Sequence, residues 1–183
     1  MEMQMEFIPL STDNQSVYMD VGTQSYVEHY LHLWTNRDPT PYLNTSFTPE
    51  VVQQELQSEH CFNYLVKCND DFAGILKLVT DKGWGVIKDE ESLYLHRLYL
   101  LRKSTGQGVG QRVLEFVEAF GKKRNKSMIW LEAMKKGQAK DFYKNQGFKI
   151  LGDSTVDLNG VLHEEKEMWV MYKSIGPTTL LDQ

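Results

Sequence analysis

The chain has 183 residues, of which 41 % are hydrophobic and 25 % charged, and its net charge is −5. This length and composition fit one soluble domain with a core of ordinary size, and the acidic balance argues against a general nucleic-acid binder. No apolar run reaches membrane-spanning length, and the N-terminus carries acids where a signal peptide needs bases, so we expect a cytoplasmic protein without membrane contact.

In chain order, the first predicted element is a helix capped by Thr23, with an apolar stripe from Tyr26 to Trp34. The segment NRDPTPYLNTS should end this helix, because its two prolines cannot continue it. A second, short helix is predicted over FTPEVVQQELQ, with Thr48 as the N-cap and Pro49 at the first helical position.

A β-hairpin is predicted next, from CFNYLVKC at 61–68 through the turn NDD to the returning strand FAGILKLVT. A polar loop leads to a third strand, SLYLHRLYLL at 92–101, and a helix follows from Val109. A short buried strand at 127–133, a short helix and two last strands complete the pattern. The strand, crossover helix and strand imply one parallel pair within a mixed sheet that has helices on both faces.

The two cysteines, Cys61 and Cys68, fall on one predicted strand. Their odd spacing places the side chains on opposite faces, so we predict no disulfide between them. The five histidines are scattered, and neither a CxxC nor an HExxH motif is present, so we predict no metal site.

A glycine-rich stretch, STGQGVG at 104–110, lies between the third strand and the helix that follows it. A helix N-terminus offers unpaired N–H groups and the positive end of a dipole, and glycines let an anion approach the backbone closely. The spacing fits neither GxGxxG nor the P-loop, which disfavours dinucleotides and nucleoside triphosphates. Two interpretations remain: a cradle for another phosphate-bearing ligand, or a turn without a ligand.

Two motifs resemble the GNAT superfamily of N-acetyltransferases. Gly108 and Gly110 fall on the small positions of the family's Gln/Arg-x-x-Gly-x-Gly/Ala motif, after LYLL, and AKDFYKNQGF at 139–148 is similar to the family's second hallmark helix. The chain departs from the pattern at the Gln/Arg position, which is Thr105. The stretch SFTPEVVQQEL is loosely similar to the bacterial spermidine/spermine acetyltransferase group.

The resemblance implies the α/β GNAT fold, a mixed sheet of six or seven strands that is flanked by helices and splayed open at the parallel pair. It implies one domain over 1–183. Variable N-terminal helices over 1–59 would shape the acceptor site, 60–173 would form the core with the acetyl-CoA site, and 174–183 would be a tail. Members of the family often form dimers, so a homodimer is a further expectation.

The implied activity is direct transfer of an acetyl group from acetyl-CoA to the primary amine of a small molecule, with a polyamine as one acceptor class. Two alternatives are acetylation of a protein or peptide N-terminus, and a non-catalytic acetyl-CoA sensor. The backbone of Leu98, Tyr99 and Leu100 would pair with the pantetheine arm. The pyrophosphate would be held by residues 105–111, namely Thr105, Gly106, Gln107, Gly108, Val109, Gly110 and Gln111.

Three side chains are candidates for catalysis. Tyr143 matches the tyrosine on the family's motif helix, whose implied role is general acid toward the leaving thiolate; the structural alternative is a core-edge tyrosine. Tyr94 and His96 lie where many members carry a glutamate, and their spacing puts both on one strand face. His96 would titrate near neutrality and accept a proton directly or through water, or else be a structural histidine.

Further residues keep two interpretations each. Tyr30, Trp34 and Tyr42 would form either an aromatic cage for a cation or part of the core. Glu132, at the end of its strand, would face either the acetyl-binding cleft or solvent.

Overall fold

The computed structural model describes residues 3–176, so the predicted tail lies almost wholly outside them. The strands are β1 (Met5–Pro9), β2 (Cys61–Cys68), β3 (Asp71–Val79), β4 (Ser92–Leu100), β5 (Met128–Met134), β6 (Lys149–Thr155) and β7 (Glu167–Ser174). The α-helices are α1 (Gln15–Tyr30), α2 (Thr40–Ser46), α3 (Pro49–Gln57), α4 (Val109–Lys123) and α5 (Ala139–Asn145).

The strands form one sheet in the order β1-β2-β3-β4-β5-β7-β6. All neighbours are antiparallel except β4 and β5, which pair in parallel only over Ser92–Tyr94 and Met128–Trp130. Beyond these residues the two strands diverge. The predicted mixed sheet and its splayed parallel pair are therefore confirmed, with seven strands where six or seven were expected.

A β-bulge interrupts β4 at His96. Lys77 pairs with Arg97 and Leu78 pairs with Leu95, so His96 lies between two registers without a partner of its own. A bulge inserts one residue and reverses the side-chain alternation of its strand. The β4 leucines in the core beneath α4 accordingly change from odd to even numbers: Leu93, Leu95, Leu98 and Leu100.

The N-terminal part differs from the prediction. It contains β1, a five-residue edge strand paired with β2. Helix α1 begins at Gln15, which places Thr23 inside the helix rather than at its cap, and it ends at Tyr30, so Trp34 lies in the turn that follows. The proline segment does end α1 but forms α2 as well, because Pro41 lies in the first turn, where a missing N–H removes no helical hydrogen bond.

The remaining predicted elements are confirmed, including the N-cap of α3, where the Thr48 side chain accepts a hydrogen bond from the Val51 N–H. Cys61 and Cys68 are both free thiols. None of the helices within 3–176 is long and apolar enough to cross a membrane. Over the same residues, no group of three or more His, Cys, Asp or Glu side chains is placed to hold a metal ion.

The two faces of the sheet are covered by different helices. The core beneath α4 includes Val113 and Val117, whereas Tyr18 of α1 and Val52 of α3 belong to a separate core on Ile75 of β3. This second core positions the N-terminal helices against β3 and β4, beside the point where β4 leaves β5.

Candidate active site

A cavity of about 260 Å³ opens where β4 and β5 diverge. Tyr94 and His96 of β4, Glu132 of β5 and Tyr143 of α5 all line it. The cavity therefore brings together all three predicted catalytic residues and adds Glu132, for which the sequence left two orientations open.

Glu132 is held by a hydrogen bond across the mouth of the splayed strands. The Tyr94 hydroxyl donates to Glu132 Oε2 at 2.7 Å, and the Tyr94 ring stacks on Trp130 with centroids 4.0 Å apart. Burial, reinforced by the neighbouring Glu132 carboxylate, raises the pKa of Tyr94, so its hydroxyl keeps the proton that it donates. Tyr94 thus fixes the orientation of a carboxylate in the cavity wall.

His96 stacks on Tyr94 with ring centroids 5.1 Å apart, which confirms that the two side chains share one face. Burial, together with the nearby positive charges of Arg97, Lys77 and Lys82, lowers the pKa of His96 to about 2. The expectation that His96 titrates near neutrality is therefore wrong: the imidazole is neutral at physiological pH and is a weak proton acceptor.

Tyr143 presents a protonated hydroxyl to the cavity. Its side chain is 8 % exposed and is flanked by the rings of Phe142 and Phe148. Burial raises the pKa of Tyr143. Its hydroxyl makes no hydrogen bond to any other residue of 3–176. It is therefore free to donate a hydrogen bond or a proton to a molecule bound in the cavity.

The edge of β4 beyond Tyr94 has lost its neighbour β5. Leu101 donates its N–H to the carbonyl of Ala73 in β3, and backbone groups alternate in direction along a strand. The backbone of Tyr99 therefore faces β3, whereas the N–H and C=O groups of Leu98 and the N–H of Leu100 point toward the cleft. The Leu100 carbonyl lies 3.1 Å from His29 Nε2 and is already paired. The predicted backbone role is wrong for Tyr99, whose side chain lines the cavity instead; for Leu98 and Leu100 it stays a prediction.

Glycine is required after β4 for two different structural reasons. Gly106 and Gly108 have φ angles of 72° and 85°, a left-handed conformation that favours glycine, and a Cβ at either would meet no atom within 4 Å. At Gly110 a Cβ would lie 3.0 Å from the Phe142 ring, so this glycine lets α4 pack against α5. The first two therefore shape an open surface, and the third fixes its position beside Tyr143.

Side chains of this loop are used within the loop itself. The hydroxyl and the N–H of Thr105 both donate to the Arg102 carbonyl, so this residue, which was expected to help hold the pyrophosphate, uses both donors within the loop. The Gln107 amide donates to the Lys103 carbonyl. The donors that remain for a ligand are main-chain groups.

The N-terminus of α4 supplies such donors. Its first helical hydrogen bond runs from the Arg112 N–H to the Gly108 carbonyl, so the N–H groups of Val109, Gly110 and Gln111 have no partner within the helix. They point out of the positive end of the helix dipole. A molecule with a pyrophosphate and an extended polar arm fits this surface, because the arm can pair with the cleft-facing edge of β4.

An aromatic wall, formed by Tyr26, Tyr30, Trp34, Tyr42 and Tyr99, lines the cavity from the N-terminal side. Tyr26 stacks on Tyr42 and on Tyr30, with centroids 4.1 and 5.0 Å apart. The Trp34 indole donates to the Tyr26 hydroxyl at 2.9 Å, and the hydroxyls of Tyr42 and Tyr99 lie 2.7 Å apart. The rings thus pack on one another rather than enclosing an open cage, and the same residues still border the site.

The splayed sheet, the main-chain anion site and the cavity between them form the arrangement that the resemblance implied for an acetyltransferase with a coenzyme A thioester as donor. The sequence matches the acetyltransferase (GNAT) family over residues 27–148, more than half of the chain, and the chain belongs to this family. It is 23 % identical over 157 residues to an uncharacterized N-acetyltransferase encoded in the pepI 3′ region of Lactobacillus delbrueckii subsp. lactis, covering 81 % of this chain and 91 % of that protein.

Two solved structures share the fold. The PaiA N-acetyltransferase from Thermoplasma acidophilum, in complex with coenzyme A, has a TM-score of 0.71 at 17 % identity, over 95 % of this chain and 99 % of that chain. The spermidine N-acetyltransferase from Vibrio cholerae, in complex with CoA and spermine, has a TM-score of 0.69 at 11 % identity, over 93 % and 95 %. The protein is accordingly an N-acetyltransferase with acetyl-CoA as its acetyl donor.

Proposed function

We propose that the protein acetylates the primary amine of a small molecule, with Glu132 as proton acceptor, Tyr94 as its positioning residue and Tyr143 as proton donor. The observation that carries the proposal is that these three side chains meet in one cavity, next to the free edge of β4. Polyamines belong to this substrate class, and the spermine-bound enzyme with the same fold supports including them among the candidates.

The main chain would hold the acetyl donor. The N–H groups of Val109, Gly110 and Gln111 would bind the pyrophosphate, and the backbone groups of Leu98 and the N–H of Leu100 would pair with the pantetheine arm. Bound acetyl-CoA supplies a thioester whose carbonyl carbon is open to attack by an amine. The role of the protein is to place the amine beside that carbonyl and to manage two protons.

Glu132 would take the proton that the amine must lose. A carboxylate held by the Tyr94 hydroxyl at 2.7 Å has its other oxygen available to an ammonium group in the cavity. This contact would bind the cationic substrate first and receive its proton afterwards. His96, with its lowered pKa, fits this role less well than Glu132.

Tyr143 would supply a proton to the departing sulfur. Because burial raises its pKa, the hydroxyl is fully protonated at neutral pH and can act as a donor toward a developing thiolate. Packing of the ring between Phe142 and Phe148 gives that hydroxyl a fixed direction.

The walls of the cavity favour a small acceptor over a peptide. The loop between β6 and β7 is tied to the turn after α1 by two hydrogen bonds, from the Leu162 N–H to the Leu33 carbonyl and from the Thr35 N–H to the Gly160 carbonyl, each 2.8 Å. These bonds close the side of the cavity along which an extended chain would otherwise run.

The test combines binding with turnover. Calorimetric titration with acetyl-CoA should show one site, and a panel of small primary amines should release free coenzyme A thiol. Glu132→Gln should keep acetyl-CoA binding but lower kcat by roughly 10²–10⁴-fold, the usual contribution of a general base. Glu164→Gln, at an exposed position, is the matched control. Binding without turnover of any amine would favour a sensor and overturn the proposal.

A further inference from the structure

We infer that the acceptor is a primary monoamine with an apolar, preferably aromatic, body, and not a polyamine. The inference rests on the proposed function and narrows its substrate class. It is carried by the distribution of charge and of apolar surface over the cavity.

The cavity is built for one positive charge. Among the described residues that line it, Glu132 is the only carboxylate. One ammonium group can pair with its free oxygen, but a second one further along the molecule would be buried without an anionic partner. Burial of an unpaired ammonium is strongly unfavourable, because neither water nor a counter-charge replaces its hydration.

The aromatic wall does not replace the missing carboxylate. A cation binds an aromatic ring through its open face. The Tyr26 ring is already engaged in two stacking contacts, one with Tyr42 and one with Tyr30. The Tyr42 hydroxyl is already paired with that of Tyr99. The ring of Tyr26 and the hydroxyl of Tyr42 are therefore already engaged within the wall, and the packed rings supply apolar surface that suits a flat hydrocarbon body.

The other side of the cavity is apolar as well. Val156, Leu158 and Val161, on the segment from the end of β6 toward β7, line it, and Val161 forms a backbone bridge with Trp34 of the aromatic wall. The volume of about 260 Å³ lies below the roughly 300–1,000 Å³ of sites for drug-sized ligands. A compact arylalkylamine can bury its ring here while its amine reaches Glu132.

Two amines of equal length provide the sharpest test. Hexylamine and pentamethylenediamine have the same chain length and differ by one terminal group, a methyl in the first and an ammonium in the second. We expect kcat/KM for hexylamine to exceed that for the diamine by roughly 100-fold, with phenylethylamine higher still and spermidine as poor as the diamine. A diamine or spermidine that is acetylated as well as hexylamine would overturn the inference and leave the proposed function standing.

A negative charge introduced into the apolar wall of the cavity tests the preference for monoamines by mutation of the protein. Leu158→Glu should shift the ratio of kcat/KM toward pentamethylenediamine by about tenfold or more, because it supplies the second carboxylate. Leu158→Gln, of the same shape without the charge, should not. Calorimetric binding of both amines in the absence of donor gives a readout besides turnover, and thermal unfolding shows whether the variants fold. Equal shifts in both variants would contradict the inference.

The outcomes of the two proposals are distinguishable. If acetyl-CoA binds and no amine releases thiol, the proposed function fails and the inference fails with it. If amines are acetylated but the preference for monoamines is absent in the unmodified enzyme, only the inference fails, whether or not the Leu158 variants fold.

Discussion

Burial sets the protonation states of three side chains around the cavity. Tyr94 and Tyr143 keep their protons because burial raises their pKa, and His96 stays neutral because burial lowers its pKa to about 2. Two hydroxyl donors and a neutral imidazole therefore surround a single carboxylate. At the scale of the residue, this division gives each side chain a separate role that substitution can test.

Replacement of Tyr143 by phenylalanine removes only the hydroxyl. The buried ring keeps its contacts with Phe142 and Phe148, so the melting temperature should change little. We expect kcat to fall by roughly 10²-fold or more while acetyl-CoA binding is retained, because the proton donor is lost. Steady-state thiol release measures the effect. Tyr64→Phe, away from the cavity, is the control, and unchanged turnover in Tyr143→Phe would contradict the assignment.

His96 should make stability depend on pH in one direction. Its folded-state pKa of about 2 lies below the ordinary value of 6.5, so below pH 6.5 the unfolded chain binds a proton that the folded protein does not. As the pH falls below 6.5, wild type should lose stability relative to His96→Gln by at most about 1.4 kcal/mol per pH unit. Urea unfolding of both proteins at about pH 7 and about pH 5 measures this difference in the free energy of unfolding.

The same variant separates stability from catalysis. The acidic limb of the pH–rate profile should have the same position in His96→Gln as in wild type, because His96 holds no proton there to lose. His32→Gln, at an exposed position, controls for the loss of an imidazole. A pH-independent stability difference, or an acidic limb that disappears in His96→Gln, would contradict the neutral state of this side chain.

At the scale of the element, glycines in the turn into α4 serve two purposes that mutation can separate: a positive φ angle and an open surface for ligand binding. Gly108 and Gly85 both have positive φ angles and open space around the missing Cβ. Arginine at either position should cost about 1 kcal/mol of stability. Only Gly108→Arg should weaken acetyl-CoA binding, by roughly tenfold or more, because its side chain blocks the N-terminus of α4. Calorimetric titration of both variants with acetyl-CoA measures this difference. Equal affinities of the two variants for acetyl-CoA would show that the pyrophosphate binds elsewhere.

The elements from β2 onward were predictable because long apolar runs there end at glycines and polar turns. The start of α1 was not, because its buried face carries Tyr18, Gly22, Ser25 and Tyr26 rather than a continuous apolar stripe. Strand β1 is a five-residue edge strand with little pattern to detect. The bulge at His96 is a property of how β4 pairs with β3, and no feature of the strand's own sequence marks it.

Part of the site was predictable for the same reason. Tyr143, the glycine loop and the pair of Tyr94 and His96 lie in continuous motifs or on one strand. The contact between Tyr94 and Glu132 joins two strands that are 38 positions apart in sequence, and only their divergence turns Glu132 into the cavity. Backbone direction, which separates Tyr99 from its neighbours, depends on strand pairing and is likewise invisible in the sequence.

At the scale of the whole molecule, one buried carboxylate connects the N-terminal helices to the sheet. Glu55 of α3 lies 2.6 Å from Lys77 of β3 and 3.2 Å from Arg97 of β4, and all three side chains are at most 9 % exposed. The Arg97 Nε atom is already buried without a hydrogen-bond partner. The Glu55 carboxylate is therefore the counter-charge that both buried cations share.

Glu55→Gln should destabilise the protein by roughly 3–5 kcal/mol, because it leaves two buried cations without a counter-charge. Glu59→Gln, at an exposed position a few residues later, should stay within about 0.5 kcal/mol of wild type. Urea unfolding at neutral pH compares the two variants. Similar stabilities would show that water or a neutralised Lys77, whose pKa burial lowers, compensates for the lost charge.

The divergence of β4 from β5 also affects how the protein resists aggregation through its strand edges. A strand edge with free N–H and C=O groups on the outside of a sheet invites pairing with another chain and hence aggregation. Here that edge is recessed between two halves of one sheet, flanked by α4, α5 and the aromatic wall. An extended ligand such as the pantetheine arm can lie along this edge, whereas the edge strand of a second sheet cannot reach it. The recess therefore excludes a β-strand of another copy of the protein by steric hindrance, while it leaves the β4 edge accessible to the acetyl donor.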